Sequence, residues 1–345
     1  MKLAVVLFNL GGPDSDAAVE PFLRNLFSDR AIIPLPAILR KPLGALIAHR
    51  RAPVARHIYG KIGGRSPIVE ETQAQARALE AALASQGHEA RCFIAMRYWK
   101  PRAEEAAHTV AVWNPGGIVL LPLYPQFSTT TTASSLDDWD DAARRAGVNA
   151  PQMRVCCYPW DDGFVTAEAE LIAAALGQRR PVVDYRLLLS AHGLPRRTVS
   201  GGDPYQWQVE KTAAAIVDRL GITGLDWRIC YQSRVGPLEW IGPSTDAEIR
   251  RAGAHGKGVI VAPIAFVSEH SETLVELDIE YGKLARESGV ADYIRVPTVG
   301  TTPAFIDGLA RLVLDAALGE TVVTCGAGRI CPNSFARCGY GEATP

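Results

Sequence analysis

The sequence predicts an α/β protein with two similar Rossmann-like domains, each built on a parallel sheet flanked by helices. Runs of continuous apolar residues recur along the chain, as is typical of strands buried on both faces. Alanine-rich stretches of helical character separate them, and a faint internal repeat relates the two halves. The strand-like runs are LAVVLFN (3–9), CFIAM (92–96), GIVLLPLY (117–124), YRLLLSA (185–191) and GVIVAPIAF (258–266). The helical stretches are 71–87, 167–177 and 208–221.

The internal repeat predicts where ligands bind. VVLFNLGGP (5–13) resembles LLLSAHGLP (187–195), and GIVLLPLYPQFSTTTT (117–132) resembles GVIVAPIAFVSEHSET (258–273). Open α/β sheets bind ligands at the carboxyl ends of their strands, where these polar loops follow. We therefore expect a site between the halves. The predicted ranges are an N-terminal domain at 1–165, a C-terminal domain at 166–320 and a cysteine-rich tail at 321–345.

Composition narrows the class of protein. The 345 residues are 48% hydrophobic and 21% charged, which is ordinary for a globular protein. With 36 basic and 37 acidic residues the net charge is −1, so we expect no nucleic-acid partner. The apolar start MKLAVVLFNLGGP is short and lacks a cleavage site, so the expected location is cytoplasmic. GKIGGRSP (60–67) fits neither nucleotide-binding motif, which excludes kinase and dehydrogenase classes.

The segment at 32–51, IIPLPAILRKPLGALIAHRR, combines apolar residues with four cations: Arg40, Lys41, Arg50 and Arg51. One interpretation is a lip that lies in a bilayer interface with its cations toward lipid headgroups. The other is a buried loop or helix pair with snorkelling basic side chains. The sequence leaves both open.

His192 directly follows a predicted strand, inside the turn SAHGLP, which would project the imidazole into the cleft. It suits a base or a metal ligand near pH 7, or else is a structural histidine. His270 and Glu272 follow the next strand end, so the three side chains would meet if both strands face one crevice.

A line of carboxylates accompanies these residues. If 265–281 is a helix, Glu269, Glu272, Glu276 and Glu280 share an arc of about 80°. Like charges at this spacing repel one another, and a cation or shared protons would relieve them. The stripe would then deliver a divalent metal, carry protons away, or do both; the alternative is a solvated helix face.

Three of the seven cysteines, Cys325, Cys331 and Cys338, lie in the tail. In a cytosolic chain this clustering favours a metal site over disulfides, and the alternative is unligated thiols. Three ligands are one short of a [2Fe–2S] or structural zinc site. Cys156 or Cys157 would supply the fourth, since neighbours in a strand point to opposite faces.

Several motifs together resemble the ferrochelatase family over nearly the whole chain. They are LFNLGGPDS (7–15), YGKIGGRSPI (59–68), AMRYWKP (95–101), LPLYPQFSTTTTASS (121–135), SAHGLP (190–195), GDPY (202–205), YQSRVGPLEWIGP (231–243) and AFVSEHSETLVELDIEY (265–281). The resemblance implies the chelatase fold, with a porphyrin cleft between two Rossmann-like domains. It also implies insertion of Fe²⁺ into protoporphyrin IX with release of two protons, the last step of haem synthesis.

The resemblance also implies site residues. His192 would take pyrrole protons or ligate the metal, and Glu272 would be its partner across the macrocycle. Glu269, His270, Glu276 and Asp278 fall in the same acidic motif. The residues implied to lie at the porphyrin are Leu10, Arg51, Tyr59, Arg97, Tyr98, Tyr124 and Trp240.

Cofactor and partners follow from the same resemblance. A [2Fe–2S] cluster would be held by Cys325, Cys331, Cys338 and either Cys157 or Cys156, since Thr129 occupies the place of one vertebrate ligand. The 32–51 lip would receive porphyrin at the cytoplasmic face of the inner membrane, and a homodimer is an open expectation. Alternatives are a coproporphyrin III chelatase, a chelatase for another metal such as cobalt, and a non-catalytic haem- or iron–sulfur-binding regulator.

Overall fold

Two parallel sheets form the framework of the protein in a computed structural model that describes residues 2–234, 236, 238–319 and 321–341. Val235 and Pro237 of the YQSRVGPLEWIGP motif, and residues 342–345 of the predicted tail, lie outside the described residues. The first sheet has the order β2-β1-β3-β4-β9, with β1 Leu3–Asn9, β2 Ala90–Met96, β3 Gly117–Pro122, β4 Gln152–Cys157 and β9 Val322–Thr324. The second has the order β6-β5-β7-β8, with β5 Tyr185–His192, β6 Trp227–Gln232, β7 Gly258–Pro263 and β8 Tyr293–Arg295.

Helices connect the strands and cover the sheets. They are α1 Val19–Phe27, α2 Ala37–Gly60, α3 Ile68–Ser85, α4 Ala103–Trp113, α5 Thr132–Arg145, α6 Asp162–Gly177, α7 Arg196–Ser200, α8 Tyr205–Leu220, α9 Thr245–Ala254, α10 Gly282–Glu287 and α11 Pro303–Leu318. A 3₁₀-helix spans Asp16–Ala18 and a π-helix spans Glu272–Tyr281. Every residue of β1, β3 and β7 is buried, as expected for strands covered on both faces. The predicted α/β class with two parallel sheets is confirmed.

The chain returns to the first sheet after leaving the second. Strand β9 pairs with β4, and the apolar face of α11, including Phe305, Leu309 and Val313, shares a buried cluster with Leu7 of β1. The sequence analysis assigned α11 to the second domain and β9 to the tail. Their packing joins both to the first sheet instead, because that sheet supplies the apolar surface that α11 buries.

The segment predicted as a lip, 32–51, comprises a loop at 32–36 and the first part of α2. Its small residues face α1 closely: a Cβ on Gly44 would lie 2.6 Å from the carbonyl oxygen of Phe27. Large apolar side chains are exposed along the segment and in the next helical turn of α2: Leu35, Ile38, Leu39, Leu43, Leu46 and Val54. Among the described residues, no helix combines the length and hydropathy that crossing a membrane requires.

Candidate active site

A cavity of about 1720 Å³ lies between the carboxyl ends of the two sets of strands. Loops from both sheets line it, as expected for open α/β sheets. The lining side chains from the segments that follow the strands include Leu10 after β1, Tyr98 after β2, Tyr124 after β3, His192 at the end of β5, Trp240 after β6 and Glu272 after β7.

His192 and Glu272 form a pair at the wall of this cavity. The Nδ1 atom of His192 lies 2.8 Å from Oε2 of Glu272, and 36% of the histidine side chain is exposed. The turn behind it is fixed because the N–H of Gly193 donates to the carbonyl of Gln232 at 2.9 Å. An ionised carboxylate only accepts hydrogen bonds, so Nδ1 carries the proton. Nε2 of His192 is thereby left for a ligand in the cavity.

Each member of the pair stabilises the charged form of the other. Burial lowers the pKa of His192, but the Glu272 carboxylate more than offsets this and the pKa is raised. Burial raises the pKa of Glu272, yet the charge and hydrogen bond of His192, joined by His270, bring it well below its usual range. The site is therefore arranged to hold a proton on His192.

His270 presents a second imidazole beside the same carboxylate. Its Nδ1 lies 3.1 Å from the carbonyl oxygen of Ser268, so Nδ1 is the donor. Its buried Nε2 lies 3.8 Å from Oε2 of Glu272 and has no hydrogen-bond partner among the described residues. The Phe266 ring centroid is 4.8 Å from that of His270 and 6.5 Å from that of His192. A buried nitrogen without a partner suits a substrate metal ion or a pyrrole N–H.

The carboxylate of Glu276, one turn after Glu272, is held by hydrogen-bond donors rather than by a cation. It accepts hydrogen bonds from the Ser233 N–H at 2.8 Å, Gln232 Nε2 at 3.1 Å and the Tyr281 hydroxyl at 3.0 Å. Burial, and then the charge of Glu272, raise its pKa. A carboxylate with a raised pKa takes up a proton more readily than an ordinary one.

The acidic segment differs from the predicted helical stripe. Residues 272–281 form a π-helix, a rare conformation that is frequent at functional sites. Cations from other elements neutralise the remaining carboxylates: Arg295 lies 2.6 Å from Glu269 and 2.8 Å from Asp278, and Lys61 lies 3.1 Å from Glu280. Glu269 does not line the cavity, so the structure turns one predicted site residue away from it.

All seven residues expected at a porphyrin line the cavity. Two of them are engaged by a residue that the sequence analysis missed. Asp29, at the end of α1, lies 2.9 Å from Nη2 of Arg97 and accepts the Tyr98 hydroxyl at 2.8 Å. Burial raises the pKa of Asp29, but Arg97 and these hydrogen bonds bring it below its usual value. The sequence gives no signal for this role, because Asp29 lies among other polar residues in FLRNLFSDR (22–30) and its burial is visible only in the structure.

The structure gathers four thiols, but not the set that was expected. The side chains of Cys156, Cys157, Cys331 and Cys338 lie close enough together to shift one another's pKa. Cys325 stays outside this thiol group and only its backbone N–H reaches the carbonyl of Cys157, at 3.2 Å. Hydrogen bonds from Cys156 and Cys331 hold the pKa of Cys338 well below its usual range.

Both body cysteines reach the thiol group because β4 is irregular. The register between β4 and β9 shifts between Val155 and Cys157. A bulge of this kind breaks the strict alternation of side chains along a strand, on which the choice of a single body ligand rested. Among the described residues, no group of three or more histidine, cysteine or acidic side chains is arranged to hold a metal ion.

Two parallel sheets around a cavity that holds an imidazole–carboxylate pair define a chelatase-like α/β protein. A model of the ferrochelatase family matches residues 2–317, and the chain belongs to that family. It is 56% identical to a ferrochelatase of Caulobacter vibrioides over 94% of each chain. It is 55% identical to a ferrochelatase of Phenylobacterium zucineum over 98% of each.

Solved structures agree on the fold. The sirohydrochlorin chelatase SirB from Bacillus subtilis subspecies spizizenii, in complex with cobalt, matches with a TM-score of 0.54 at 13% identity, over 92% of this chain and 96% of that one. At that identity the likeness shows the chelatase fold alone. The family and its curated relatives confirm the expected class: the protein is a lyase of haem biosynthesis, and its substrates are a porphyrin and Fe²⁺.

Proposed function

We propose that the porphyrin substrate is protoporphyrin IX and that His192 accepts its pyrrole protons. The observation that carries this is the His192–Glu272 pair at the cavity wall, with Nε2 of His192 left for a ligand. In the reaction the two pyrrole N–H bonds break, Fe²⁺ binds the four nitrogens and two protons leave. His192 acts as the base because Glu272 stabilises the imidazolium that forms, as the carboxylate does in a catalytic triad.

Other polar side chains of the cavity wall suit the binding of Fe²⁺ and the transfer of protons away from the ring. Nε2 of His270 and the Glu272 carboxylate would guide Fe²⁺ toward the ring from the same wall of the cavity. Glu276, whose pKa is raised, would relay protons outward. Glu269 has no part in this proposal because Arg295 holds it away from the cavity.

The test is anaerobic mixing of the protein with Fe²⁺ and protoporphyrin IX, followed by the porphyrin spectrum. Conversion to haem by the wild type is expected, with a loss of about 10²- to 10⁴-fold in His192→Ala, the usual contribution of a general base. His108→Ala, on the exposed face of α4, is the matched control. Faster conversion of coproporphyrin III would reassign the substrate, and porphyrin binding without conversion would indicate a regulator.

We propose further that the chain binds a [2Fe–2S] cluster, as its sequence resemblance to the family implies. Such a cluster takes four cysteine thiolates, and Cys156, Cys157, Cys331 and Cys338 meet in one place. We propose these four as its ligands. Cys325, which was expected from sequence to be a ligand, is not part of this set. When bound, the cluster would supply a one-electron centre and a tie between tail and body. Visible absorption and iron and sulfide analysis test this: Cys338→Ser should lose the cluster, and Cys325→Ser should keep it.

The exposed apolar side chains around the start of α2 support a peripheral membrane role. Ile38 is 83% exposed and Leu39 is 57% exposed, and Lys41 and Arg50 lie on the same helix. Ile38→Asp with Leu39→Asp should abolish flotation with anionic vesicles at low salt, while Val182→Asp, at an equally exposed valine, should not. Flotation that is the same in all three proteins would contradict the proposal. A cytoplasmic location and a homodimer stay predictions.

A further inference from the structure

The side chain of Gln75 connects helix α3 to the wall of the cavity that follows β7. Gln75 is fully buried and does not line the cavity itself. Its Nε2 donates to the carbonyl oxygen of Val267 at 2.7 Å and to that of Gly300 at 3.0 Å. Its Oε1 accepts the hydroxyl of Ser268 at 3.0 Å. The amide therefore uses its nitrogen twice and its oxygen once, all on the second half of the molecule.

These hydrogen bonds fix the backbone that leads to His270. A residue has two soft backbone dihedrals, φ and ψ. Gln75 holds both the carbonyl of Val267 and the side chain of Ser268, so only ψ of Ser268 is left to aim its carbonyl. That carbonyl is the acceptor for Nδ1 of His270, at 3.1 Å. The acceptor of the His270 proton is thus set by a residue of α3 that touches neither the imidazole nor the cavity.

The imidazole of His270 has two neutral forms, and they have different consequences for the site. With the proton on Nδ1, the ring donates to the Ser268 carbonyl, and the lone pair of Nε2 has no partner within the described part of the chain. With the proton on Nε2, the ring would donate toward Glu272, whose Oε2 lies 3.8 Å away and would be reached by a small rotation. The second form would engage both groups that the first form leaves for a cation.

We propose that Gln75 is a positioning residue that keeps Nε2 of His270 unprotonated and open to Fe²⁺. This role presupposes the proposed one of His270 in guiding the metal. The hydrogen bond on one ring nitrogen determines which nitrogen is left for a metal, and Gln75 holds the Ser268 carbonyl where Nδ1 reaches it. Without the amide the carbonyl can turn away, and the carboxylate of Glu272 then draws the proton to Nε2.

The first measurement is the KM for Fe²⁺ in Gln75→Met, with protoporphyrin IX saturating. We expect the KM to rise about tenfold, the lower end of the effect of removing a group that orients a metal-binding histidine. The Kd of protoporphyrin IX and kcat should stay within about twofold of the wild type, because the His192–Glu272 pair is untouched. A merely structural role would instead weaken porphyrin binding and turnover along with the KM.

Nitrogen NMR of the His270 ring tests the position of the proton without turnover. The signals of this ring are assigned by their loss in His270→Ala. In the wild type, with the ring neutral, the proton should reside on Nδ1, and in Gln75→Met a substantial share should move to Nε2. An unchanged proton position in folded Gln75→Met would overturn the positioning role.

Two positions of α3 supply matched controls. Gln73→Met makes the same change at an exposed residue, and Thr72→Val removes a buried hydroxyl one turn before Gln75. Thr72 accepts the side-chain amide of Asn9 at 3.1 Å, so its loss measures the general effect of an unpaired polar group beside this helix. Both variants should keep the wild-type KM for Fe²⁺. If Thr72→Val raised the KM as far as Gln75→Met, the effect would be structural and the positioning role would be wrong.

Ser268→Ala decides the question if Gln75→Met does not fold. This variant leaves two of the three hydrogen bonds of the amide, so we expect a smaller rise in KM and a smaller shift of the proton in the same direction. No shift would overturn the positioning role. An unchanged KM for Fe²⁺ in His270→Ala would contradict the proposed function of His270, and this role of Gln75 with it. An unchanged KM and proton position in Gln75→Met alone would overturn only the role of Gln75.

Discussion

The two sheets share one strand order, yet their loops carry different chemistry. In each, the first strand lies between the second and the third, as in β2-β1-β3-β4 and β6-β5-β7-β8. The loops after the first sheet carry Leu10, Tyr98 and Tyr124 beside Arg97, whereas those after the second carry His192 and Glu272 beside Trp240. A repeated scaffold thus fixes where the side chains meet. In the proposed function, the first half would mainly contact the porphyrin and the second would mainly transfer its protons.

Charge is also treated differently in the two halves. In the first, Arg97 is paired with Asp29 at 2.9 Å, so its charge is neutralised within the wall. In the second, the charges of His192 and Glu272 neutralise each other but stay part-exposed to the cavity. The ion pair of the first wall is therefore more buried than that of the second, which leaves His192 accessible from the cavity for the proposed proton transfer.

The largest effect should come from Glu272→Gln. Turnover should fall by about 10²- to 10⁴-fold because the imidazolium loses its counter-charge. The pKa of His192 should fall as well, since burial lowers it and Glu272 is what raises it. NMR titration of the imidazole measures this directly, and an unchanged pKa would refute the electrostatic account of the pair.

The sign of the pH effect on stability follows from the same pair. The pKa of Glu272 is lowered in the folded protein. Its contribution to the free energy of unfolding is therefore fully present above the ordinary carboxyl range and is lost as the pH falls through the lowered pKa. The pKa of His192 is raised in the folded protein. Its contribution to the free energy of unfolding is therefore fully present below the ordinary imidazole range and is lost as the pH rises through the raised pKa.

An intermediate effect is expected in the first half. Leu10→Ala should weaken porphyrin binding by up to about 60-fold, since it removes three carbons from the apolar contact and each buried methylene contributes about 0.8 kcal/mol. The chemical step should stay within about twofold. Leu318→Ala, at a residue that is 84% exposed, is the control. If kcat fell and Kd did not, the proposed division of labour between the halves would be wrong.

The smallest effect should come from Glu269→Gln. Arg295 and the Thr298 N–H hold this carboxylate outside the cavity, so turnover should change less than about twofold, like that of a residue remote from the reacting atoms. Glu276→Gln should lower turnover clearly more, because Glu276 lines the cavity. Stopped-flow measurement of both variants would decide, and equal losses would restore the predicted stripe as one functional unit.

Sequence reasoning found the elements whose signal is local. Strands β1 and β5 are continuous apolar runs, and His192 follows one of them in a glycine–proline turn. Strand β6 and the three-residue strands β8 and β9 were missed, because their assignment depends on pairing with β5, β7 and β4 rather than on composition. Their partners are distant in sequence.

Within the site, the misses have tertiary causes. The π-helix, which begins at Glu272, places Glu276 and Glu280 differently from a regular helix, and Glu269 lies before it in a loop. The partners of Glu269 and Glu280 come from β8 and from the residue after α2, which no spacing rule connects to 269–280. The register shift after Val155 brought both body cysteines to the tail, where strand alternation allowed one.

The return of α11 and β9 to the first sheet has a consequence for biosynthesis. Ribosomes deliver the chain from its N-terminus, and domains usually fold in that order. Here all strands of the second sheet, β5 to β8, have been made before α11 and β9 emerge, so the later half acquires its complete set of strands first. Until then the edge of β4 is unpaired and the apolar face that α11 will cover is exposed. An unpaired edge and an exposed apolar face favour aggregation, so the nascent chain needs protection at this stage. The half that is translated first is therefore the half whose fold is completed last.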